Sequence, residues 1–136
     1  MGVIASSFTK MHVEKKAALK GKVNIDTSTV LLDVKRSELN FGKNKQNVLR
    51  VEFESRTKYE PKIAEIVLTG DLLYLATPEQ LDQIEKIWTK EKHLGKEAMS
   101  DVLNHLLAKC SLQALLLSKE MNLPPPIPMP KWTAKT

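Results

Sequence analysis

The chain has 136 residues, a hydrophobic share of 42% and a net charge of +5 at pH 7. These values are typical of a single globular domain. The sequence has no apolar run of the roughly 18 residues that a membrane-spanning helix needs. The single cysteine, Cys110, excludes an internal disulfide, and the three dispersed histidines give no metal-binding spacing. We therefore expect no metal and no cofactor.

Basic residues are concentrated in the first half of the chain. Residues 1–62 carry thirteen Lys or Arg and seven Asp or Glu, whereas residues 63–136 carry eight and nine. A basic half is typical of proteins that bind nucleic acid or anionic surfaces, and also of strand edges that lysines protect against unwanted pairing. The high Lys and Glu content with one Cys also suits a thermophilic protein.

The first half of the sequence predicts β-strands. Polar and apolar residues partly alternate over residues 8–13, which predicts a first strand. The β-branched run 23–35 predicts a second strand, with Val30, Leu32 and Val34 on one face.

Two further strands follow a break in the pattern. The Gly- and Asn-rich stretch 39–47 predicts a hairpin loop, and residues 48–59 alternate as a half-buried strand does. Residues 62–75 predict a fourth, apolar strand, in which Gly70 predicts a bulge or kink. Three side chains of the third strand are expected to share one face: Leu49, Val51 and Phe53.

The second half predicts two helices. Thr77 is a preferred helix N-cap, Pro78 suits the first helical position, and Gln80 can complete a capping box. We expect this helix to end near residues 90–92, with Gly95 as the break before a second helix over residues 96–121.

Apolar side chains surround much of the second helix. A helix of about 25 residues is about 37 Å long, and one small sheet covers only one side of it. We expect the other side to be buried between subunits; packing on the chain's own sheet alone is the alternative. Cys110 is interpreted as a small buried hydrophobic residue. The expected interface residues are Leu106, Leu107, Cys110, Leu115, Leu116 and Leu117.

Five prolines within residues 124–130 end the second helix and predict an extended tail over residues 123–136. The tail also carries Ile127, Met129 and Trp132, so we expect it to lie along the protein surface. The alternative is a docking peptide for an aromatic groove of a partner.

The sequence contains no P-loop, nucleophile elbow or dinucleotide-binding glycine motif, so we expect no enzyme. Asp101 and His105 lie four residues apart on a helix, where an exposed pair is favoured over an acid–base dyad. The N-terminus lacks the pattern of a signal peptide, so a cytoplasmic protein is expected.

Three segments resemble the SecB protein-export chaperones. Residues 66–75 resemble the fourth strand of that family, residues 106–117 its long helix, and residues 123–130 its proline-rich tail. The order of four strands and two helices is also similar. Two features differ: Leu72 stands where the family usually has Phe, and the chain is basic where SecB proteins are acidic.

The resemblance implies one α+β domain over residues 1–136, with a four-stranded antiparallel sheet, a short and a long helix, and a proline-rich tail. It implies a homotetramer, built as a dimer of dimers with the long helices in the middle. The implied activity is ATP-independent holding of unfolded or precursor polypeptides in apolar grooves, in protein transport. The chain would be a divergent archaeal or thermophilic member.

A holdase needs exposed apolar surface bordered by charge, and shape-tolerant side chains such as Leu and Met. The basic charge of residues 1–62 supports an alternative, a nucleic-acid- or ribosome-associated accessory protein. The residues expected to line a peptide groove are Leu72, Leu73, Tyr74, Ile84, Trp88 and Trp132.

Overall fold

A computed structural model describes residues 2–18 and 21–126. The four strands form one antiparallel sheet in the order β1-β4-β3-β2, so that β1 and β2 are its edges. Two helices follow, and the expected α+β fold class is confirmed. Within the described ranges no helix has the length and apolar character to span a membrane. The elements are β1 (Gly2–Lys15), β2 (Asn24–Phe41), β3 (Asn44–Glu60), β4 (Ala64–Leu75), α1 (Pro78–Glu91) and α2 (Lys96–Glu120).

The two faces of the sheet have different environments. Leu49, Val51 and Phe53 share one buried face, as the alternation in β3 predicts. α2 packs on this face against β1 and β4, and α1 packs on it against β2 and β3. We call this side the helix face and the opposite side of the sheet the outer face.

A bulge in β2 changes which residues face the helices. Val30 pairs with Glu54 on the outer face, whereas Val34 pairs with Val51 on the helix face, and the register shifts between Leu31 and Asp33. The prediction that Val30, Leu32 and Val34 share one face is therefore wrong, because the bulge inserts one residue and reverses the alternation.

The connection between β2 and β3 is shorter than the predicted loop. The two strands pair from Asn24–Glu60 up to Phe41–Asn44, and only Gly42 and Lys43 form the turn. Gly42 has a φ of 62°, a conformation that glycine adopts without steric cost. Most of stretch 39–47 is thus polar strand rather than loop.

Gly70 lies where the sheet has little room for a side chain. It pairs with Phe8 on one side and Phe53 on the other, and the bulge sits in β1 between Phe8 and Lys10 rather than in β4. The two phenylalanine rings meet edge to face, with centroids 6.1 Å apart. A Cβ on Gly70 would lie 2.9 Å from Phe8 Cα and closer still to Ser7 O.

The helix boundaries follow the local signals in the sequence. Thr77 Oγ1 accepts a hydrogen bond from Gln80 N at 3.3 Å, and Gln80 Oε1 accepts one from Thr77 N at 3.0 Å, which completes the capping box. Lys92 caps the C-terminal end of α1 in a left-handed conformation, and Gly95 with a φ of 88° precedes α2.

α2 packs on the sheet through one stripe of buried residues, and several side chains of α2 also form hydrogen bonds with the sheet. His105 Nε2 and Lys109 Nζ each lie 2.8 Å from Ser6 Oγ, and Lys109 also donates to Ser6 O at 2.9 Å. Asp101 accepts a hydrogen bond from Tyr74 OH at 3.1 Å. Asp101 and His105 thus each contact the sheet rather than forming the exposed pair that the sequence suggests. The buried stripe is Ala98, Val102, Leu106, Cys110, Ala114 and Ser118.

Candidate polypeptide-binding surface

A cleft opens on the helix face between the inner side of α1 and the start of α2. We call it the helix cleft, and its volume is about 240 Å³. Its apolar lining comes from both helices and from the loop between them, with Tyr74 of β4 beneath. A recess of this size that offers both polar and apolar groups suits one side chain of an extended peptide. The lining residues are Tyr74, Gln80, Gln83, Ile84, Ile87, Leu94, Gly95, Lys96, Glu97 and Ala98.

Tyr74 stays neutral at the base of this cleft. Its side chain is buried, and its hydroxyl donates to Asp101 Oδ2. Burial, that hydrogen bond and the negative charges of Asp101 and Glu97 raise the pKa of Tyr74 to about 12. The hydroxyl therefore acts as a hydrogen-bond donor at physiological pH.

A second recess of about 420 Å³ lies at the β2–β3 hairpin, and we call it the hairpin cleft. Gln80 lines both the helix cleft and the hairpin cleft. The two recesses therefore share one lining residue, in the first turn of α1. The hairpin cleft is lined by Lys45, Gln46, Asn47, Leu75, Ala76, Thr77, Pro78 and Gln80.

A third recess, the β2 groove, runs between α2 and the edge strand β2. Its volume is only about 20 Å³, and Pro126 forms part of its lining. Hydroxyl groups cover its floor, and the side of α2 forms its wall. Thr29 Oγ1 donates to Ser55 Oγ at 3.4 Å across the floor. The groove is lined by Thr27, Thr29, Ser55, Thr57, Leu107, Cys110, Ser111, Ala114 and Pro126.

The structure separates the residues expected to line a single peptide groove. Tyr74 and Ile84 come together in the helix cleft. Leu72 is fully buried in the core, while Leu73 lies half-buried on the outer face, because successive residues of a strand point to opposite faces. These two leucines therefore cannot line the same groove. Trp132 lies outside the described residues.

Trp88 belongs to the core rather than to a groove. Its side chain is 9% exposed, and the ammonium group of Lys92 lies 5.2 Å from the centre of its ring. Unlike Tyr74 and Ile84, which are also buried, Trp88 does not line the helix cleft. The sequence pattern places Trp88 on the apolar stripe, but it does not distinguish core from groove.

Two apolar residues of the helix cleft, Ile87 and Leu94, are absent from the predicted set. Ile87 is half-buried at the end of the apolar stripe of α1, and Leu94 is buried just before Gly95. The capping box fixes where α1 begins and thus places Ile87 toward the sheet side. No local signal marks Leu94, whose position depends on the turn between the helices.

The predicted interface residues divide between the two sides of α2. Leu106 and Cys110 face the chain's own sheet, because they belong to the buried stripe, and Leu115 and Leu117 are half-buried. Leu107 and Leu116 are exposed, at 55% and 49%, and Leu112, missing from the predicted set, is 60% exposed. Ala108, Leu112 and Leu116 follow one another at four-residue spacing; we call them the outward ridge.

The basic charge of the first half does not produce a basic sheet face. Arg50 pairs with Asp71, and Arg56 pairs with Glu54 and Glu65. By the pairing register, the strands place five cations and eight carboxylates on the outer face. The cations are Lys10, Lys35, Arg50, Arg56 and Lys58, and the carboxylates are Glu14, Asp26, Asp33, Glu52, Glu54, Glu60, Glu65 and Asp71.

No protein-family model matches the sequence. A search of curated proteins also gives no match. Among solved structures, the chain is similar to the SecB-like chaperone Rv1957 of Mycobacterium tuberculosis in complex with a ChAD peptide from the Rv1956 HigA1 antitoxin. The TM-score is 0.56 at 9% sequence identity, and the match covers 98% of this chain and 91% of that chain. The chain therefore has a SecB-like fold.

Proposed function

We propose that this protein is an ATP-independent holdase that binds unfolded or precursor polypeptides on its helix face. The observation that carries the proposal is the helix cleft, open beside the hairpin cleft on a SecB-like fold. The similar chaperone is a peptide complex, which supports polypeptide as the ligand class. The paired charges of the outer face give no matching support to nucleic acid.

A single helix cleft would hold a client weakly. Burying one aliphatic side chain contributes roughly 1.5–3 kcal/mol, and ordering the bound segment offsets part of that gain. Several clefts on one assembly would bind successive segments of the same client and raise the overall affinity by effective concentration. The proposal therefore includes a homo-oligomer, with the dimer of dimers as its expected form.

The test is suppression of client aggregation without ATP. We expect the wild-type chain to lower light scattering by several chemically denatured clients, and Ile87→Lys to lower its affinity about ten-fold, as loss of roughly 1.4 kcal/mol implies. Ile87 is half-buried in the cleft, so a lysine there adds charge without disturbing the core. Thr89→Lys, exposed on the same helix, is the matched control and should behave as wild type.

Circular dichroism of all three proteins checks that the fold is retained. Unchanged scattering at a stoichiometric excess of wild-type protein, across all clients, would remove the holdase proposal. Equal activity of the folded Ile87→Lys and Thr89→Lys proteins would instead move client binding away from the helix cleft.

A further inference from the structure

The β2–β3 ribbon extends past the end of β4. The last pair between β4 and β3 is Leu75 with Val48, after which the chain leaves the sheet toward α1. β3 continues through residues 44–47, which pair only with β2. β1 begins at Gly2, which pairs with Leu75 and so stops at the same level. No described strand therefore lies beside residues 44–47 on the β4 side, and we call this stretch the free edge.

The turn of the ribbon determines which main-chain groups point to the free edge. A two-residue turn closes on a pair that exchanges both main-chain hydrogen bonds, and such pairs alternate along the ladder with pairs that exchange none. Phe41 and Asn44 are the closing pair, so Lys45 exchanges none with Asn40 opposite it. The N–H and C=O of Lys45 therefore point away from β2, into the position that β4 leaves. Among the described residues, no main-chain hydrogen bond from a turn or loop reaches either group.

The free edge borders the hairpin cleft, which has room for an added strand. Residues 45–47 line that cleft, and its volume of about 420 Å³ is within the usual range for ligand sites. Four residues of strand are about 13 Å long. The lining combines apolar side chains with amides, and Lys45 is its one charged member in the described part of the chain.

The two outer edges of the sheet are less suited to accept a strand. The register of β1 shifts after Val3 and after Phe8, and that of β2 shifts between Leu31 and Asp33. Bulges interrupt the row of free main-chain groups and commonly protect the edges of sheets. The pairing of residues 44–47 with β2 has no such shift, so the free edge keeps the regular geometry that strand addition needs.

The charge at the free edge indicates which strand it would accept. A lysine on an edge disfavours pairing with apolar or basic strands, whereas an opposite charge directly across stabilises a pair. Lys43 in the turn adds a second cation close to Lys45. The matching strand therefore carries an acidic residue opposite Lys45.

We propose that the free edge binds an extended polypeptide segment as an added strand, antiparallel to β3 and in the position that β4 leaves, with an acidic residue opposite Lys45. Strand addition draws its affinity from main-chain hydrogen bonds, so it suits segments of many sequences. That a client supplies the segment rests on the proposed function, whereas the pairing itself does not.

The probe is the fluorescein-labelled peptide Ser-Val-Thr-Val-Glu-Val-Thr-Val-Ser, and fluorescence anisotropy measures its binding. In an antiparallel pair the residue opposite Lys45 also points its N–H and C=O at β3. Methylation of the glutamate nitrogen removes a donor that faces β3, so we expect about ten-fold weaker binding, the factor for losing roughly 1.4 kcal/mol. Methylation of the preceding valine nitrogen, which points away from β3, is the matched control and should leave the affinity unchanged.

Lys45→Pro and Lys45→Thr test the same contact from the protein side. Both variants lose the charge, but only proline lacks the N–H that faces the free edge, so Lys45→Pro should bind the peptide about ten-fold more weakly than Lys45→Thr. The control is Asn40→Pro, which removes an N–H of the same ribbon that points to the outer edge of β2, and it should bind as wild type does. Circular dichroism checks that each variant is folded.

Three results would overturn strand addition at the free edge. One is that the wild-type chain binds no peptide at millimolar concentration, and another is that the two methylated peptides bind equally. The third is that Lys45→Pro has a smaller mass than wild type in light scattering, since the free edge would then join two copies of the chain.

The peptide measurements contain no denatured client, so they separate this inference from the proposed function. The expected peptide pattern in a protein that never suppresses aggregation would support the strand site and remove the holdase. Suppression of aggregation by a protein that binds no peptide, equal in Lys45→Pro and Asn40→Pro, would keep the holdase and overturn the strand site.

Discussion

Gly70 is the residue at which the sheet tolerates a side chain least. Its missing Cβ lets Phe8 and Phe53 meet edge to face from the two neighbouring strands. We expect Gly70→Ala to lower the free energy of unfolding by about 3 kcal/mol, the upper part of the range for overpacked cores, because β1 must move away from β4. Urea unfolding followed by circular dichroism measures this change.

Thr69→Ala serves as the control, since it alters the half-buried neighbour on the outer face and leaves the backbone alone; it should cost less than about 1 kcal/mol. Adding Phe53→Leu to Gly70→Ala identifies the clash. If the smaller side chain restores stability, the aromatic ring rather than the backbone of β1 limits the site, and our reading of Gly70 is wrong.

At the scale of elements, local sequence signals predict the features that depend on neighbouring residues. Features that depend on how two strands pair cannot be predicted from one strand alone. The capping box of Thr77 and Gln80 and the alternation in β3 depend only on neighbouring residues, and both are confirmed. The bulge at Leu32 depends on how β2 aligns with β3, so no sequence pattern within β2 predicts it. The same reason explains why the polar strand residues beside Gly42 resemble a loop in the sequence.

The candidate site was predictable only in part, for a related reason. Periodicity identifies apolar residues such as Leu72, Tyr74 and Trp88, but core and groove both require apolar residues. Only the packing of α1 and α2 leaves Tyr74 and Ile84 beside an open cleft and closes the core over Leu72. Leu94 enters the cleft through the turn between the helices, which has no sequence period.

Two tyrosines connect the region of α2 to the sheet through hydrogen bonds that their hydroxyl groups donate. Each hydroxyl can donate only while the tyrosine is neutral. Tyr74 OH donates to Asp101 within α2, and Tyr59 OH donates to Pro124 just after it. Burial raises the pKa of Tyr59 to about 12, with a smaller opposite effect of Ser118, and the pKa of Tyr74 is also raised to about 12. Both hydroxyls therefore donate until the pH is strongly alkaline.

The sign of the pH dependence follows from these raised pKa values. Below about pH 10 tyrosine is neutral in the folded and the unfolded chain, and the stabilisation is fully present. Between about pH 10 and 12 the unfolded chain ionises first, so the free energy of unfolding should fall. Urea unfolding at pH 8 and pH 11 measures the loss.

Tyr59→Phe, Tyr74→Phe removes both tyrosines of the sequence. This variant should be less stable than wild type at pH 8, because two hydrogen bonds are lost. Its free energy of unfolding should, however, fall less than that of wild type between pH 8 and pH 11. If the free energy of unfolding falls equally in the variant and in wild type, the alkaline effect belongs to the lysines rather than to the tyrosines.

At the scale of the whole molecule, the side of α2 that faces away from the sheet is an apolar surface with no partner in the described chain. The sheet covers one side of α2, and the outward ridge of Ala108, Leu112 and Leu116 points away from it. Leu107 extends this surface toward the β2 groove. A second subunit packed against this surface would shield these leucines from water. Each fully buried side chain would stabilise the contact by roughly 1.5–3 kcal/mol.

We therefore expect Leu112→Glu, Leu116→Glu to dissociate the oligomer, because each carboxylate would have to lose its water in an apolar contact. Light scattering after size exclusion, at low micromolar concentration, should give four times the chain mass of 15.3 kDa for wild type and a smaller mass for the variant. Ser100→Glu, exposed on the same helix about 18 Å from Leu112, adds charge outside the leucines and should leave the mass unchanged.

A wild-type monomer would contradict the assembly and leave each chain with only its own clefts. An oligomer that survives both glutamates would place the subunit contact elsewhere on the molecule.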